Sequence, residues 1–236
     1  MNVARTVPPG RFDDLIETSA RVFTERGYKR TQMSDIADSL GVAKGTVYLY
    51  VESKEALFDL TCRLADTPRP RPVPAELPVR TPPASATTQY VAEQLATSRV
   101  LPFVATLLTK KRRGDARSEV EEIVSVLFDD LRRHRCALKL IDQSARDLPD
   151  LAALWFEGAR GGLLELLTSY LEDRIRTQKL QPVPHTAAAA RLIIETTTFW
   201  AVHRHWDAHP QEIDEATAKQ TVVHFVAGAL VEGGKP

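Results

Sequence analysis

Lys44-Gly45-Thr46-Val47-Tyr48-Leu49-Tyr50 gathers in one short stretch the groups with which a helix can read duplex DNA. Lys44 supplies a cation, Gly45 allows close backbone approach, and Thr46 offers a methyl and a hydroxyl to base edges. Tyr48 and Tyr50 can give hydroxyls to phosphates. Lys54 follows at the start of a further helix, where free backbone N–H groups also point at anions. The plainer reading of Tyr48 is a packing residue with a solvated hydroxyl, and of Lys44 and Lys54 ordinary surface charge. Val47 is the one clearly apolar anchor of the stretch.

These groups act only if neighbouring elements hold them outward. Phe12, Leu15, Ile16, Ser19, Ala20 and Phe23 recur at three- and four-residue steps, which predicts a helix with one buried face, ended by Gly27 as a left-handed cap. A second, short helix is expected from Thr31 as its cap, with Asp35 in the first turn and Met33, Ile36, Ala37 and Leu40 inward. Gly41 suits the positive φ of a tight turn, Val42 tucks inward, and the third helix starts at Lys44. Ser53 caps a fourth helix, from Lys54 to about Asp66, with Leu57, Leu60 and Leu64 facing in. Two short helices joined by a glycine turn form a helix-turn-helix, whose second helix enters a major groove.

Net charge gives no help with partners. Lys plus Arg equals Asp plus Glu at 31 each, and through Asp66 nine basic residues face ten acidic ones. Any charge that meets DNA must therefore be placed locally. At 236 residues the chain suits one to two domains. The punctuation that divides it is TPRPRPVPAELPVRTPP, residues 67–83, with seven prolines in seventeen residues. Proline fixes φ and removes a backbone donor, so no helix crosses this segment. The expected division is a DNA-binding domain at 9–66, a connector at 67–83 and a helical domain at 84–236. The connector reads as an extended spacer, with a docking site for a partner that recognises proline-rich segments as the alternative.

The stretch RFDDLIETSARVFTERGYKRTQMSDIADSLGVAKGTVYLYVESKEALFDL resembles the DNA-binding domain of the TetR/AcrR family of bacterial transcriptional regulators. The resemblance is carried by Phe23 with Gly27-Tyr28, by Ile36-Ala37, by Gly41-Val42, and by Lys44-Gly45-Thr46-Val47-Tyr48 with Tyr50 and Ser53-Lys54-Glu55. It implies that Lys44, Gly45, Thr46, Tyr48, Leu49 and Tyr50 touch DNA. It also implies that Lys54 contacts phosphate and that Met33 and Ser34 lie near the DNA backbone. Ala43 stands where Ser or Thr is common, which removes one phosphate contact. Val51 replaces the usual Phe, which leaves the joint with the fourth helix packed by a smaller side chain.

Beyond residue 84, helices are expected at about 84–98, 100–109, 116–145, 150–178, 185–206 and 212–232. The last two carry apolar residues nearly all round, which fits an interface with a second copy. Leu192, Thr196, Trp200, Val222, Phe225, Val226 and Ala229 are the expected contacts, and the resemblance implies the same dimer. An intramolecular core is the alternative. The resemblance further implies a small-molecule effector site among the middle helices. Phe103, Leu107, Phe128, Leu131, Trp155, Phe156 and Phe199 are its candidate lining, with ordinary core packing the alternative.

Other chemistry finds little footing. His203, His205, His209, His224 and His134 suggest a metal, but residues two apart on a helix point to different faces, and no metal or other cofactor is expected. Lys110-Lys111-Arg112-Arg113 reads as a solvated helix end, with a salt-sensitive DNA contact as the alternative. Cys62 and Cys136 are too far apart for a C-x-x-C site and read as reduced apolar fillers. No catalytic motif is visible, and no apolar run is long enough for a membrane span, so a cytoplasmic, nucleoid-associated protein without enzymatic activity is expected. The combined expectation is an all-α, dimeric, ligand-responsive repressor on a near-palindromic operator. The alternative is an architectural or partner-binding helix-turn-helix protein that uses the proline-rich segment.

Overall fold

The computed structural model describes residues 10–109 and 114–231, so the basic run at 110–113 lies outside the described residues. The regular structure there is helical, apart from an isolated bridge between Val51 and Val79. The chain forms two compact units. One holds the chain through Gln94 together with Cys136–Trp155, and the other holds Leu95–Arg135 together with the chain from Phe156 onward.

The first unit opens with α1 (Arg11–Arg26), α2 (Met33–Leu40), α3 (Lys44–Val47) and α4 (Lys54–Leu64). Phe12, Leu15, Ile16, Val22 and Phe23 of α1 meet Ile36, Ala37, Leu57, Phe58 and Leu60 in one core. Such side chains each gain about 1.5–3 kcal/mol on leaving water, and their helical spacing decides which face turns in. Cys62 is buried with them, and burial pushes its thiol pKa up.

Two caps differ from the expected ones. Gly27 has a positive φ of 79° but an extended ψ of 167°, so it is not a left-handed cap. The chain leaves α1 abruptly there because Lys29 N–H donates to the Asp147 carboxylate at 2.8 Å. A Cβ at residue 27 would sit 3.0 Å from that carboxylate. Thr31 does not cap α2. Its hydroxyl donates instead to the Gly27 carbonyl at 2.7 Å, and Gln32 becomes the cap, its N–H donating to Asp35 at 2.8 Å. Ser53 does cap α4, accepting from the Ala56 N–H at 3.1 Å.

The proline-rich segment lies along this unit, with Arg71 buried against Asp13. The unit also takes in α5 (Ala86–Ala96) through Gln94. There Thr87 donates to Asp59 at 2.9 Å and the Arg63 guanidinium lies 4.3 Å from the Tyr90 ring. Contacts thus divide the chain beyond the last proline of the segment.

The helix expected over 116–145 is two helices, α7 (Ala116–Arg133) and α8 (Arg135–Ser144), broken at His134. The break is stabilised from elsewhere in the chain, because the Asp66 carboxylate accepts the Cys136 and Ala137 N–H groups at 2.8 and 3.0 Å. Those are amides that a new helix leaves without internal partners.

In the second unit α6 (Val100–Thr109), α7, α10 (Gly162–Arg176), α11 (Thr186–Ala201) and α12 (Glu215–Leu230) share a core that includes Val104, Val124, Leu127, Leu171, Ile193 and Val226. A short α9 (Pro149–Ala152) and a π-helical stretch, Ala153–Gly161, precede α10. Asp115 and Asp214 cap α7 and α12 through the N–H groups of Ser118 and Thr217, each at 2.9 Å. Inside the core, Arg174 donates to Glu119 at 2.7 Å and to the Leu107 carbonyl at 2.9 Å, while the Tyr170 hydroxyl donates to Glu119 at 3.1 Å.

Candidate nucleic-acid interface

Local sequence explains how α3 is presented. Gly41 takes the left-handed conformation, φ 67° and ψ 36°, which only glycine adopts cheaply. The turn closes with Val42 N–H donating to the Ala37 carbonyl at 3.0 Å. Val47 and Ala37 are both buried, so one short helix seats on the other through small side chains. The opposite face of α3 and the turn after it are then left in water. Lys44 and Gly45 are exposed, Tyr48 is 39% exposed and Leu49 47% exposed, with the Lys44 ammonium 6.0 Å from the Tyr48 ring. Thr46 is half-buried. A cation, a phenol and an isobutyl group standing together in solvent suit phosphate, a second phosphate or base edge, and a thymine methyl.

Four expected contact residues are placed differently. Tyr50 is buried, its ring 6.4 Å from that of Phe12, and burial raises its hydroxyl pKa, so it serves the core. Met33 is also core. Ser34 is half-buried with its hydroxyl 3.5 Å from the Gln32 side chain. The Lys54 ammonium donates to the Tyr28 and Thr31 carbonyls, both at 3.1 Å, and lies 4.4 Å from the Tyr28 ring. It closes the α1–α2 connection. Val51 leaves no gap in place of the expected Phe. It is fully buried, and Leu77 and Val79 of the proline-rich segment pack against the same cluster.

The second unit sorts its expected residues into interior and surface. Leu107 belongs to the core, Phe103 and Leu131 pack against it, and Phe128 is fully buried. Phe156 is half-buried with the Arg160 guanidinium 5.8 Å from its ring. Trp155 belongs to the first unit, where its Nε1–H donates to Asp142 at 3.0 Å. Phe199 is 41% exposed and therefore lines no interior. A surface hollow of about 510 Å³ is lined by Arg204, His205, Pro210, Gln211, Glu212 and Ile213, of which sequence patterning singled out only His205.

Among the expected interface residues, Val222 and Val226 are buried within the unit itself, at 2% and 6% exposure. Leu192 and Phe225 are 67% and 68% exposed, Ala229 is exposed, and Thr196 and Trp200 are half-buried. Leu192 and Phe199 lie seven residues apart on α11, hence on one face. Among the described residues no His, Cys, Asp and Glu side chains group as a metal site, and no helix is long and apolar enough to cross a membrane. His205 instead lies against Arg135 and 3.0 Å from Glu215.

Residues 15–60 match the family described as bacterial regulatory proteins of the TetR family. Over 56 residues the chain is 39% identical to the HTH-type transcriptional repressor KstR2 of Mycolicibacterium smegmatis, covering 24% of this chain and 27% of that protein. Over 48 residues it is 42% identical to the fatty acid metabolism regulator protein of Bacillus subtilis, covering 20% and 25%. The match thus spans about a quarter of these curated relatives. Over nearly the whole chain the fold is similar to that of the ketosteroid transcriptional regulator KstR2 of Mycobacterium tuberculosis, with TM-score 0.55, 18% identity and coverage of 98% and 100%. It is also similar to that of the TetR family regulator PfmR from Thermus thermophilus, with TM-score 0.52, 16% identity and coverage of 94% and 99%. Residues 15–60 thus match the helix-turn-helix domain of the TetR family of bacterial regulatory proteins, and the fold of the whole chain is similar to that of the regulators KstR2 and PfmR.

Proposed function

We propose that this protein is a sequence-specific transcriptional regulator that binds operator DNA as a dimer. The observation that carries the reading is the solvent-facing group Lys44, Gly45, Tyr48 and Leu49, held out by a glycine turn and anchored by the buried Val47. Relatives named as repressors match over about a quarter of the chain, which supports repression as the outcome. Two copies place two α3 helices about one turn of DNA apart, roughly 34 Å, on a near-palindromic site. The exposed Leu192, Phe199 and Phe225 of α11 and α12 supply the apolar face that a second copy covers. A small-molecule effector that prefers a conformation with a different α3 spacing lowers operator affinity by linkage.

In this reading Lys44, Gly45, Thr46, Tyr48 and Leu49 meet DNA, whereas Tyr50, Met33 and Lys54 hold the domain that presents them. The test is selection of duplexes from fragmented genomic DNA by the purified protein at two salt concentrations, followed by sequencing. Recovery of one near-palindromic motif at both salts is the expected result. Retention without a motif, lost at the higher salt, is backbone binding alone and overturns the proposal.

A further inference from the structure

Residues 67–83 contain the feature with the least conventional role. They run as a strap between three parts of the DNA-binding unit. At one end the Arg71 backbone N–H donates to Asp13 of α1 at 3.0 Å, and its guanidinium lies 3.3 Å from the same carboxylate, both side chains almost wholly buried. The Arg71 Nε–H also donates to the Leu64 carbonyl at the end of α4 at 3.0 Å. Arg69 adds two bonds to Glu17 at 2.7 and 2.6 Å, which hold the Glu17 carboxyl below its ordinary range. At the other end Val79 N–H donates to the Tyr50 carbonyl at 2.8 Å, and Glu52 N–H donates to the Val79 carbonyl at 2.9 Å. Thr81 then donates through its N–H to the Glu52 carboxylate at 3.0 Å and through its hydroxyl to Ser53, the cap of α4, at 2.8 Å.

The placement of this second anchor matters. α3 spans only Lys44–Val47 and buries one side chain, so its own contacts fix its tilt weakly. Its pose depends on what holds the chain on either side. The Gly41 turn holds the leading side, and the strap holds Tyr50 to Ser53 on the trailing side. Prolines suit the purpose, since a segment with fixed φ angles loses little conformational freedom when it docks.

We infer that the proline-rich segment is a positioning strap that sets the pose of α3 for DNA, with Val79 and Arg71 as its two anchors. The inference rests on α3 being the DNA-reading helix. A spacer without this role leaves DNA affinity untouched when the anchors are removed.

The experiment uses the full chain and the duplex most enriched from a random-sequence pool. Val79→Pro deletes the donor to Tyr50, Arg71→Met deletes the ion pair while keeping the stem, and Lys44→Ala serves as the control on the recognition helix. Circular dichroism and thermal melting report folding of each variant. The expected result is affinity lower by about tenfold or more in folded Val79→Pro and Arg71→Met, comparable to the net worth of one hydrogen bond. The slope of log affinity against log salt stays unchanged, because no phosphate-contacting cation is lost. Parental affinity in both strap variants, with binding lost in Lys44→Ala, overturns the strap and leaves the reading of α3 standing. Parental affinity in Lys44→Ala overturns both.

A second measurement needs no variant. Hydrogen exchange on the unaltered protein should find the Glu52 and Val79 amides as protected as those of α1. Exchange at open-loop rates overturns the strap on its own.

Discussion

Lys44 and Lys54 look equivalent in sequence, and the structure gives them different surroundings: Lys44 stands in solvent, whereas Lys54 is bonded within the domain. Lys54→Met separates them. The Lys54 ammonium makes two bonds to carbonyl oxygens at 3.1 Å and stands 4.4 Å over the Tyr28 ring. A hydrogen bond from a charged donor contributes about 1.5–3 kcal/mol in favourable settings, and partial exposure brings each of these down to about 1 kcal/mol, so the two together give about 2 kcal/mol. The cation–π contact adds about 0.5–1 kcal/mol. Methionine keeps most of the stem volume, so the change isolates the charge. The expected loss of about 2–3 kcal/mol corresponds to a melting temperature lower by roughly 4–12 °C for a chain of this size. The assay pairs thermal melting with DNA affinity over a salt series. Lys44→Ala should leave the melting temperature unchanged and reduce the salt slope by about 1, the mark of one lost phosphate contact. Lys54→Met should do the reverse. If Lys54→Met melts with the parent and its salt slope falls by about 1, the assignment of Lys54 to the α1–α2 connection is wrong.

Further predictions follow from the second unit. Arg174→Met leaves the buried Glu119 carboxylate with only neutral donors, and should lower stability in urea by about 3–5 kcal/mol, whereas a change within 1 kcal/mol would show that the pair is solvated in solution. Leu192→Lys combined with Phe225→Lys places charge on the proposed dimer face, and sedimentation should find a folded monomer with weakened operator binding; an intact dimer would move the interface elsewhere. Burial first, then the Arg135 and Arg204 guanidiniums, hold His205 below its ordinary pKa of 6.5. The unfolded chain therefore takes up this proton more readily, so the stability tied to neutral His205 is complete above pH 6.5 and is lost as pH falls through the lower folded value. The urea midpoint should decline over that window, and His205→Gln should flatten the decline; an unchanged profile would place the effect on other groups.

Much of the DNA-binding unit was legible in the chain because it rests on local rules. Apolar residues at helical spacing set the inward faces of α1, α2 and α4, Ser53 sat where a cap is needed, and Gly41 sat where only a positive φ makes the turn. Those rules fixed α3 in place and left Lys44, Tyr48 and Leu49 in water. They did not show that Tyr50 packs against Phe12 or that Lys54 bonds the Tyr28 carbonyl, because a phenol or an ammonium carries the same sequence signal whether its partner is a phosphate, a ring or a carbonyl. The surface and core residues of α11 and α12 were likewise indistinguishable while both faces read as apolar, and only packing buried Val222 and Val226 and exposed Leu192 and Phe225.

The sequence by itself determined the helices, the glycine turn and the exposed face of α3, since each depends on residues within a few positions of one another. Tertiary structure alone decided that α7 and α8 break apart over the Asp66 carboxylate, and that the proline-rich segment is pinned by Asp13 and Tyr50. Those outcomes turn on partners tens of residues away, and a backbone N–H or a carboxylate carries no local mark of the distant group that will satisfy it.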